Sequence, residues 1–230
     1  MDVIPVIDLK GGTVVRARMG RRDQYRPIET PLAPSSDPVA VARGLLSIHP
    51  FPVVYVADLD AIAGRRDNRA ALGRLKATFP HVTLWVDNGL ADRSAAEDWL
   101  AQGLGDLVIG SETQATGELV RDFAARERVI LSLDFRDRTF QGPSALLEDA
   151  SAWPRRIIVM TLTRVGSGAG PDLERLCAIR DAAPERRIYA AGGVRDTADL
   201  LALKAAGMAG ALVASCLHDG RVGSAEIALV

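Results

Sequence analysis

Two aspartates each end a short apolar segment of the sequence. Asp8 closes the segment that begins at Val3, and Asp134 closes the segment that begins at Val129. Two carboxyl groups held in different environments can act as a general base and a general acid, because each environment sets its own pKa. The pair predicts proton-transfer chemistry with Asp8 and Asp134 as catalytic residues. One alternative is that both carboxylates only cap loops. Another is that the proton-transfer role belongs to two other aspartates that end such segments, Asp58 and Asp87.

Small residues follow four other apolar segments, in a pattern that suits phosphate. Glycine lets the backbone approach an anion closely, and helix N-termini offer free N–H groups to it. Asp87 adds an unfavourable negative charge beside the first of these turns, and each turn could also be a plain tight connection. We expect two substrate phosphate sites, formed by Gly89, Gly110 and Ser111 in one half of the chain and by Gly192, Gly193, Ala214 and Ser215 in the other.

These turns recur at one spacing. The step from Gly89 to Gly193 (193 − 89 = 104) is also the step from Ser111 to Ser215 (215 − 111 = 104). A repeat of this kind describes a site with two-fold pseudo-symmetry. It predicts one domain over residues 1–230, built from two fused half-barrels of about 1–115 and 116–230.

Apolar β-rich runs alternate with helical patterns along the chain, which is typical of βα units around a parallel sheet. Strands are predicted near Val3–Asp8, Val53–Asp58, Thr83–Asp87, Asp106–Gly110, Val129–Asp134, Ile157–Thr161, Arg187–Ala191 and Gly210–Ala214. Helices are predicted near Asp37–Ser47, Asn68–Thr78, Arg93–Gln102, Gly117–Arg126, Ala145–Ser151, Asp172–Ala182, Thr197–Ala206 and Val222–Ala228. Eight such units predict an α/β fold, a (β/α)₈ TIM barrel. In such barrels the active site lies at the carboxyl ends of the strands, where the residues above fall.

The first connection, residues 10–36, is long and rich in arginine. It predicts a β-hairpin near Thr13–Arg18 and either a basic lid over an anionic ligand or a solvated hairpin. Its arginines are Arg16, Arg18, Arg21, Arg22 and Arg26.

Composition excludes several classes of protein. With 230 residues, 48% hydrophobic and 25% charged, the chain is ordinary for a soluble globular domain. A formal net charge of −1 argues against a nucleic-acid partner. Cys177 and Cys216 lack CxxC spacing and the three histidines are scattered, so no metal site is predicted. No leader or membrane-spanning run is evident, and we expect a cytoplasmic protein without a membrane partner.

Five segments resemble the HisA/HisF barrels of histidine biosynthesis. The opening IPVIDLKGGTVVR at residues 4–16 is the most specific of them. The others are YVADLD at 55–60, IGS at 109–111, LDFR at 133–136 and AGGV at 191–194. The resemblance covers nearly the whole chain, including the half-barrel duplication for which that family is known.

The resemblance implies an aldose–ketose isomerase of the Amadori type, an intramolecular oxidoreductase whose ribonucleotide-like substrate carries two phosphates in that family. The family residue matching Asp8 is the general base that takes a proton from C2 of the ribosyl unit. The residue matching Asp134 is the general acid that assists ring opening. No metal or organic cofactor is implied. Further substrate contacts are expected at Lys10, Arg16, Asp58, Asp87, Thr161, Arg164, Gly166 and Ser167.

Departures from the family pattern keep other functions open. Asp87-Asn88-Gly89 stands where the isomerases usually have three glycines. Residues 160–167, MTLTRVGS, lack the acidic residues of the family's strand-six motif, and Ala-Ser replaces a usual Gly-Arg after strand eight. The alternatives are a related enzyme of another pathway, such as one-carbon (methanopterin-type) cofactor metabolism, a HisF-like cyclase with a glutaminase partner, or a non-catalytic barrel that binds a phosphorylated ligand.

Overall fold

Eight parallel strands close into a barrel in the computed structural model, which describes residues 1–230. Each strand pairs with the next along the chain, and β8 pairs in parallel with β1 to close the sheet. The predicted (β/α)₈ barrel is therefore confirmed. The strands are β1 Asp2–Lys10, β2 Val53–Asp58, β3 Thr83–Asp87, β4 Asp106–Gly110, β5 Val129–Arg136, β6 Arg156–Thr161, β7 Arg187–Ala191 and β8 Gly210–Val213.

Side chains alternate between the barrel interior and the surrounding helices along each strand, as the period of two requires. On β2, Tyr55 and Ala57 belong to the interior cluster, whereas Val54 and Val56 pack in the outer layer. The interior is filled by large side chains from all eight strands, namely Ile4, Tyr55, Trp85, Val108, Ile130, Ile158, Tyr189 and Leu212. The barrel axis is therefore solid, and no ligand can be held inside the barrel; the active site of such a fold lies at the carboxyl ends of its strands.

The helices are close to the prediction. They are α1 Pro38–Ile48, α2 Leu59–Ile62, α3 Arg69–Thr78, α4 Arg93–Gln102, α5 Glu118–Phe123, α6 Ala145–Glu148, α7 Leu173–Ala182, α8 Thr197–Ala205, α9 Ser215–His218 and α10 Ser224–Ile227. The short α2 and α9 were not predicted, because four residues are too few for a periodic pattern. The predicted helices at α5, α6 and α10 are shorter in the structure. None of the ten helices has the length and apolar character that spanning a membrane would require.

Aspartate caps begin three of the outer helices. The Asp37 carboxylate accepts N–H bonds from Val39 and Ala40, with Pro38 at the first helical position. Asp92 and Asp196 cap α4 and α8 in the same way. Such a cap satisfies N–H groups that a helix cannot pair internally, and it contributes about 1 kcal/mol.

The predicted hairpin of the first connection forms. Its strand Thr13–Arg16 pairs antiparallel with the end of β1, so that Val15 lies opposite Asp8. Beyond it, the backbone N–H of Met19 donates to the Val165 carbonyl at 2.7 Å, which fixes the connection against the loop after β6. β5 carries a similar short strand, Thr139–Gln141, opposite Asp134 to Arg136. This likeness is consistent with two half-barrels, which remain a prediction.

Candidate active site

A cavity of about 330 Å³ lies at the carboxyl ends of the barrel strands. Asp8 and Asp134 both line it, from β1 and β5. Three strands separate β1 from β5 in either direction around the sheet, so the two carboxyl groups come from opposite sides of the barrel. The structure thus brings the two candidate catalytic residues to one cavity.

The Asp8 carboxyl group is unpaired. No hydrogen bond from another protein group reaches it, and the nearby Arg22 guanidinium acts on it only through its charge. Burial raises the pKa of Asp8 to about 7, and Arg22 partly opposes this rise. A carboxylate free of partners, with a pKa close to neutrality, is suited to take up a proton.

The Asp134 carboxyl group is held firmly. Its side chain is 4% exposed and accepts hydrogen bonds from the Ser132 hydroxyl at 2.7 Å, the Ser111 hydroxyl at 3.1 Å and the Glu112 backbone N–H at 3.3 Å. Burial raises the pKa of Asp134 to about 7, and the negative charges of Asp87 and Glu112 raise it further. The bonds from Ser132 and Glu112 only partly oppose that rise. This group can therefore carry a proton near neutral pH.

A third carboxyl group, Asp87 at the end of β3, lines the same cavity. It accepts the Gly89 backbone N–H at 3.1 Å and lies 3.4 Å from the Tyr55 hydroxyl. Burial raises the pKa of Asp87 to about 6, although the Gly89 bond lowers it. Together with Glu112 and Asp134, it makes the β3–β5 side of the cavity acidic.

The raised pKa of Asp87 predicts an effect on stability. Because the pKa of Asp87 in the folded protein lies above the ordinary 3.8, ionisation of this group disfavours the folded state. Its contribution to the free energy of unfolding is fully present below pH 3.8 and is lost as pH rises through about 6. Asp87→Asn removes that loss, and we expect it to increase the free energy of unfolding by about 1–3 kcal/mol above pH of about 7, with little gain below about 4. Urea titrations at the two pH values measure this. The exposed Asp98→Asn is the control, and an equal gain in both variants, or one independent of pH, would contradict the assignment.

The turns after β7 and β8 line the cavity with free backbone donors. Gly192, Gly193, Ala214 and Ser215 all border it. The N–H groups of Gly193, Val194 and Ala214 donate to no backbone carbonyl. Unpaired N–H groups at a cavity surface are ready donors for an anion.

Both glycines after β7 are required by the packing. Gly192 and Gly193 have φ of +97° and +93°. A Cβ at Gly193 would lie 2.1 Å from the Gly170 carbonyl oxygen, and one at Gly192 would lie 2.6 Å from the Thr161 carbonyl oxygen. Only glycine fits this conformation and this close approach.

The predicted phosphate residues after β3 and β4, Gly89, Gly110 and Ser111, do not line the cavity, and the donors of Gly89 and Ser111 are already used. The Gly89 N–H serves Asp87, and the Ser111 hydroxyl serves Asp134 and the Gln141 carbonyl at 2.8 Å. Space beside Gly110 is filled, because a Cβ there would lie 3.2 Å from an oxygen of Asp87. The structure therefore brings only the second of the two predicted phosphate sites to the cavity.

The other predicted substrate contacts also fall into two groups, residues that line the cavity and residues that do not. Arg16, Gly166 and Ser167 line the cavity along with Asp87, whereas Lys10, Asp58, Thr161 and Arg164 do not. Asp58 is fully buried and holds the loop after β2, since its oxygens accept bonds from Asn68 and Ala61. Lys10 donates to the Arg22 carbonyl at 2.8 Å, which fixes the first connection.

Arg22 and Glu112 are cavity residues that the sequence reasoning did not select. Arg22 reaches in from the first connection and forms an ion pair with Glu112, which follows β4. Arg22 stood among the five arginines of the predicted basic segment, but nothing distinguished it from the others. Glu112 directly follows the Gly110-Ser111 turn, and its acidity was the available signal that this turn does not suit phosphate.

Comparisons with known proteins find relatives that match nearly the whole chain. Residues 2–223 match the family described as histidine biosynthesis protein. An imidazole-4-carboxamide isomerase of Deinococcus radiodurans, whose named substrate carries a phosphoribosyl and a phosphoribosylamino group, is 30% identical over 95% of this chain and 94% of its own. A Synechococcus protein of the same name is 32% identical over 96% and 90% of the two chains. An uncharacterized protein of Methanocaldococcus jannaschii is 27% identical over 99% and 97%.

Proposed function

The chain belongs to the histidine biosynthesis protein family, and from this membership we propose that it is a HisA-type aldose–ketose isomerase acting on a phosphorylated aminosugar. Both relatives described above that have a named activity are isomerases, which favours this function over a cyclase, an enzyme of another pathway or a non-catalytic barrel. The observation that carries the proposal is a single cavity that holds two opposed carboxyl groups beside free backbone donors.

We assign the general base to Asp8. Its carboxylate has no hydrogen-bond partner, so that nothing competes with a substrate C–H proton for it. Asp134 is then the general acid that protonates the ring oxygen as the sugar opens, and its three hydrogen bonds keep it oriented while it carries the proton. The amino group of the substrate supplies the electron sink, because the opened sugar forms a Schiff base with it.

The phosphate of the substrate binds at the β7–β8 side in this proposal. Gly193, Val194 and Ala214 supply the backbone donors there. Arg16 and Arg221 also line the cavity and both pair with Asp219, just after α9, so their charges lie near the same side. This combination of amide donors and guanidinium groups is well matched to a phosphate.

The other end of the substrate meets the acidic β3–β5 side. A second phosphate there would face Asp87 and Glu112, which would repel it. We propose that Arg22 supplies the counter-charge when such a group is present, since it is the cation that already reaches this side. Two substrates test this proposal: the doubly phosphorylated compound named for the relatives, and the same compound without the phosphate distant from the aminosugar.

Turnover of either compound to its ketose isomer is the expected result, and turnover of neither would overturn the proposed function. The rate should follow a bell-shaped pH profile. Asp8 must be ionised, so kcat/KM falls as pH drops below about 7, and Asp134 must be protonated, so the rate falls as pH rises above about 7. Because the two values are close, the two limbs report apparent pKa values of the pair. A rate independent of pH across neutrality would contradict these roles.

A further inference from the structure

Three neighbouring strands begin with arginines on the face opposite the active site. Arg155 and Arg156 stand at the start of β6, and Arg186 and Arg187 stand at the start of β7. β5 is preceded by Arg126, Glu127 and Arg128. Because parallel strands start at the same edge, these side chains gather at the amino-terminal face of the barrel. Neither the proposed reaction nor the fold requires such a concentration of charge.

The arginines surround a groove of about 670 Å³. Arg126, Arg155, Arg156, Arg186 and Arg187 all line it, and Glu127 is the one acidic residue among its lining residues. Ser151 and the buried Trp153 complete part of the wall. The groove shares no lining residue with the active-site cavity.

Of the six arginines at this face the protein neutralises three, and only two of these three, Arg156 and Arg187, line the groove. Arg128 and Arg156 pair with Asp106, at 3.1 Å and 3.3 Å, and Arg187 pairs with Asp2 at 2.9 Å. These three are therefore balanced by carboxylates within the fold.

Arg126, Arg155 and Arg186 form no ion pair. Arg186 is positioned by a bond from its Nη2 to the Ser151 carbonyl at 3.2 Å, while its Nε is buried without a hydrogen-bond partner. The chain as a whole has a net charge of −1, so this positive excess is local. Guanidinium groups left without carboxylates around a concave surface are the usual recognition elements for phosphate.

We infer that this groove is a second ligand site, specific for a small organic compound with a chain of two or more phosphates. Several arginines around one groove can each meet a different phosphate, which a singly charged anion cannot exploit. A nucleic acid is a poorer match, because the positive charge is confined to one groove on an otherwise acidic chain.

Calorimetric titration with inorganic pyrophosphate tests this inference. The titration uses the Ser215→Asp variant, in which a carboxylate blocks the β7–β8 phosphate site, so that the remaining heat reports the groove. We expect saturable binding that weakens as salt is added. Adding Arg155→Ala and Arg186→Ala should weaken it by about 100-fold, roughly tenfold for each charge-assisted bond.

Arg66→Ala is the matched control, since Arg66 is exposed and lines neither cavity. It removes the same charge elsewhere and should leave the affinity unchanged. If the variant with Arg155→Ala and Arg186→Ala does not fold, the double variant Arg126→Ala with Arg155→Ala is used in its place. Both of these side chains are exposed and form no ion pair, so their removal should not disturb the fold. Absence of saturable binding in the Ser215→Asp protein, or equal weakening by Arg66→Ala, would show that no site exists there.

Discussion

Asp8→Asn and Asp134→Asn should each lower kcat by roughly 10²–10⁴-fold while the protein remains folded. Asparagine preserves the size of the side chain but cannot exchange a proton at neutral pH. Asp8 has no hydrogen bond to lose, and Asp134 keeps at least one oxygen for its serine partners. Steady-state kinetics on the substrate, with circular dichroism to verify folding, measure the effect.

The two variants should also differ in pH dependence. Asp8→Asn removes the acidic limb of the residual activity, and Asp134→Asn removes the alkaline limb, because each limb reports the group that has been replaced. This distinguishes proton transfer from a general disturbance of the site. Wild-type rates in both variants would refute the catalytic assignment.

Asp58→Asn is the informative control for these variants. Asp58 also ends a strand and is buried, but both of its oxygens accept bonds from the Asn68 and Ala61 groups outside the cavity. An asparagine in its place would point its side-chain NH₂ group at an N–H donor of Asn68 or Ala61. Two facing donors cannot bond, which costs about 1–3 kcal/mol of stability. We therefore expect a lower melting temperature with nearly normal turnover, the reverse of the pattern at Asp8.

Ser215→Asp should lower kcat/KM by roughly 10²-fold, chiefly through KM, because its carboxylate would stand where the substrate phosphate binds. Repulsion of about 2–3 kcal/mol between two such charges in a partly buried site accounts for this value. Ser215 is the first residue of α9, where an aspartate is compatible with the helix, so folding should be preserved. Kinetics at saturating and limiting substrate separate KM from kcat.

Ser215→Asn provides the neutral counterpart. It adds a similar volume without charge, and it should change KM by no more than severalfold. Inorganic phosphate offers a second readout, since it should raise the melting temperature of the wild type and of Ser215→Asn but not of Ser215→Asp. Equal KM values for the Asp and Asn variants would show that Ser215 does not border a bound phosphate. Direct substitution of Gly193 is less useful, because a Cβ there collides with the Gly170 carbonyl and would disturb the fold itself.

The barrel was predictable because its signals are local. Each strand is an apolar run ended by a polar or small residue, and β2, β3, β4 and β7 have the predicted bounds. The caps at Asp37, Asp92 and Asp196 depend on residues two or three positions away, so they too could be predicted. Placing Asp8 and Asp134 at one mouth followed from the closure of eight strands.

Features that depend on distant parts of the chain could not be predicted. The ion pair of Arg22 with Glu112 joins the first connection to the turn after β4, and no local pattern selects those two residues. The Gly-Ser turn at Gly110 resembles the turn at β8 in sequence. Its donors are nevertheless taken by Asp134 and Gln141, which only the folded sheet brings near. Equivalent spacing in the two halves therefore did not produce equivalent surroundings.

The large side chains along the barrel axis determine whether small molecules can pass through the barrel. Trp85 and Tyr189 meet edge to face, with ring centroids 5.0 Å apart, and each is 2% exposed. Together with Ile4 and Ile130 they fill the barrel axis, so that no channel runs through it. A reactant released at the arginine-lined end has no internal route to Asp8 and must diffuse around the outside. Substrates and products therefore enter and leave through the same cavity mouth. A gas or an amine cannot pass through the barrel from its amino-terminal face.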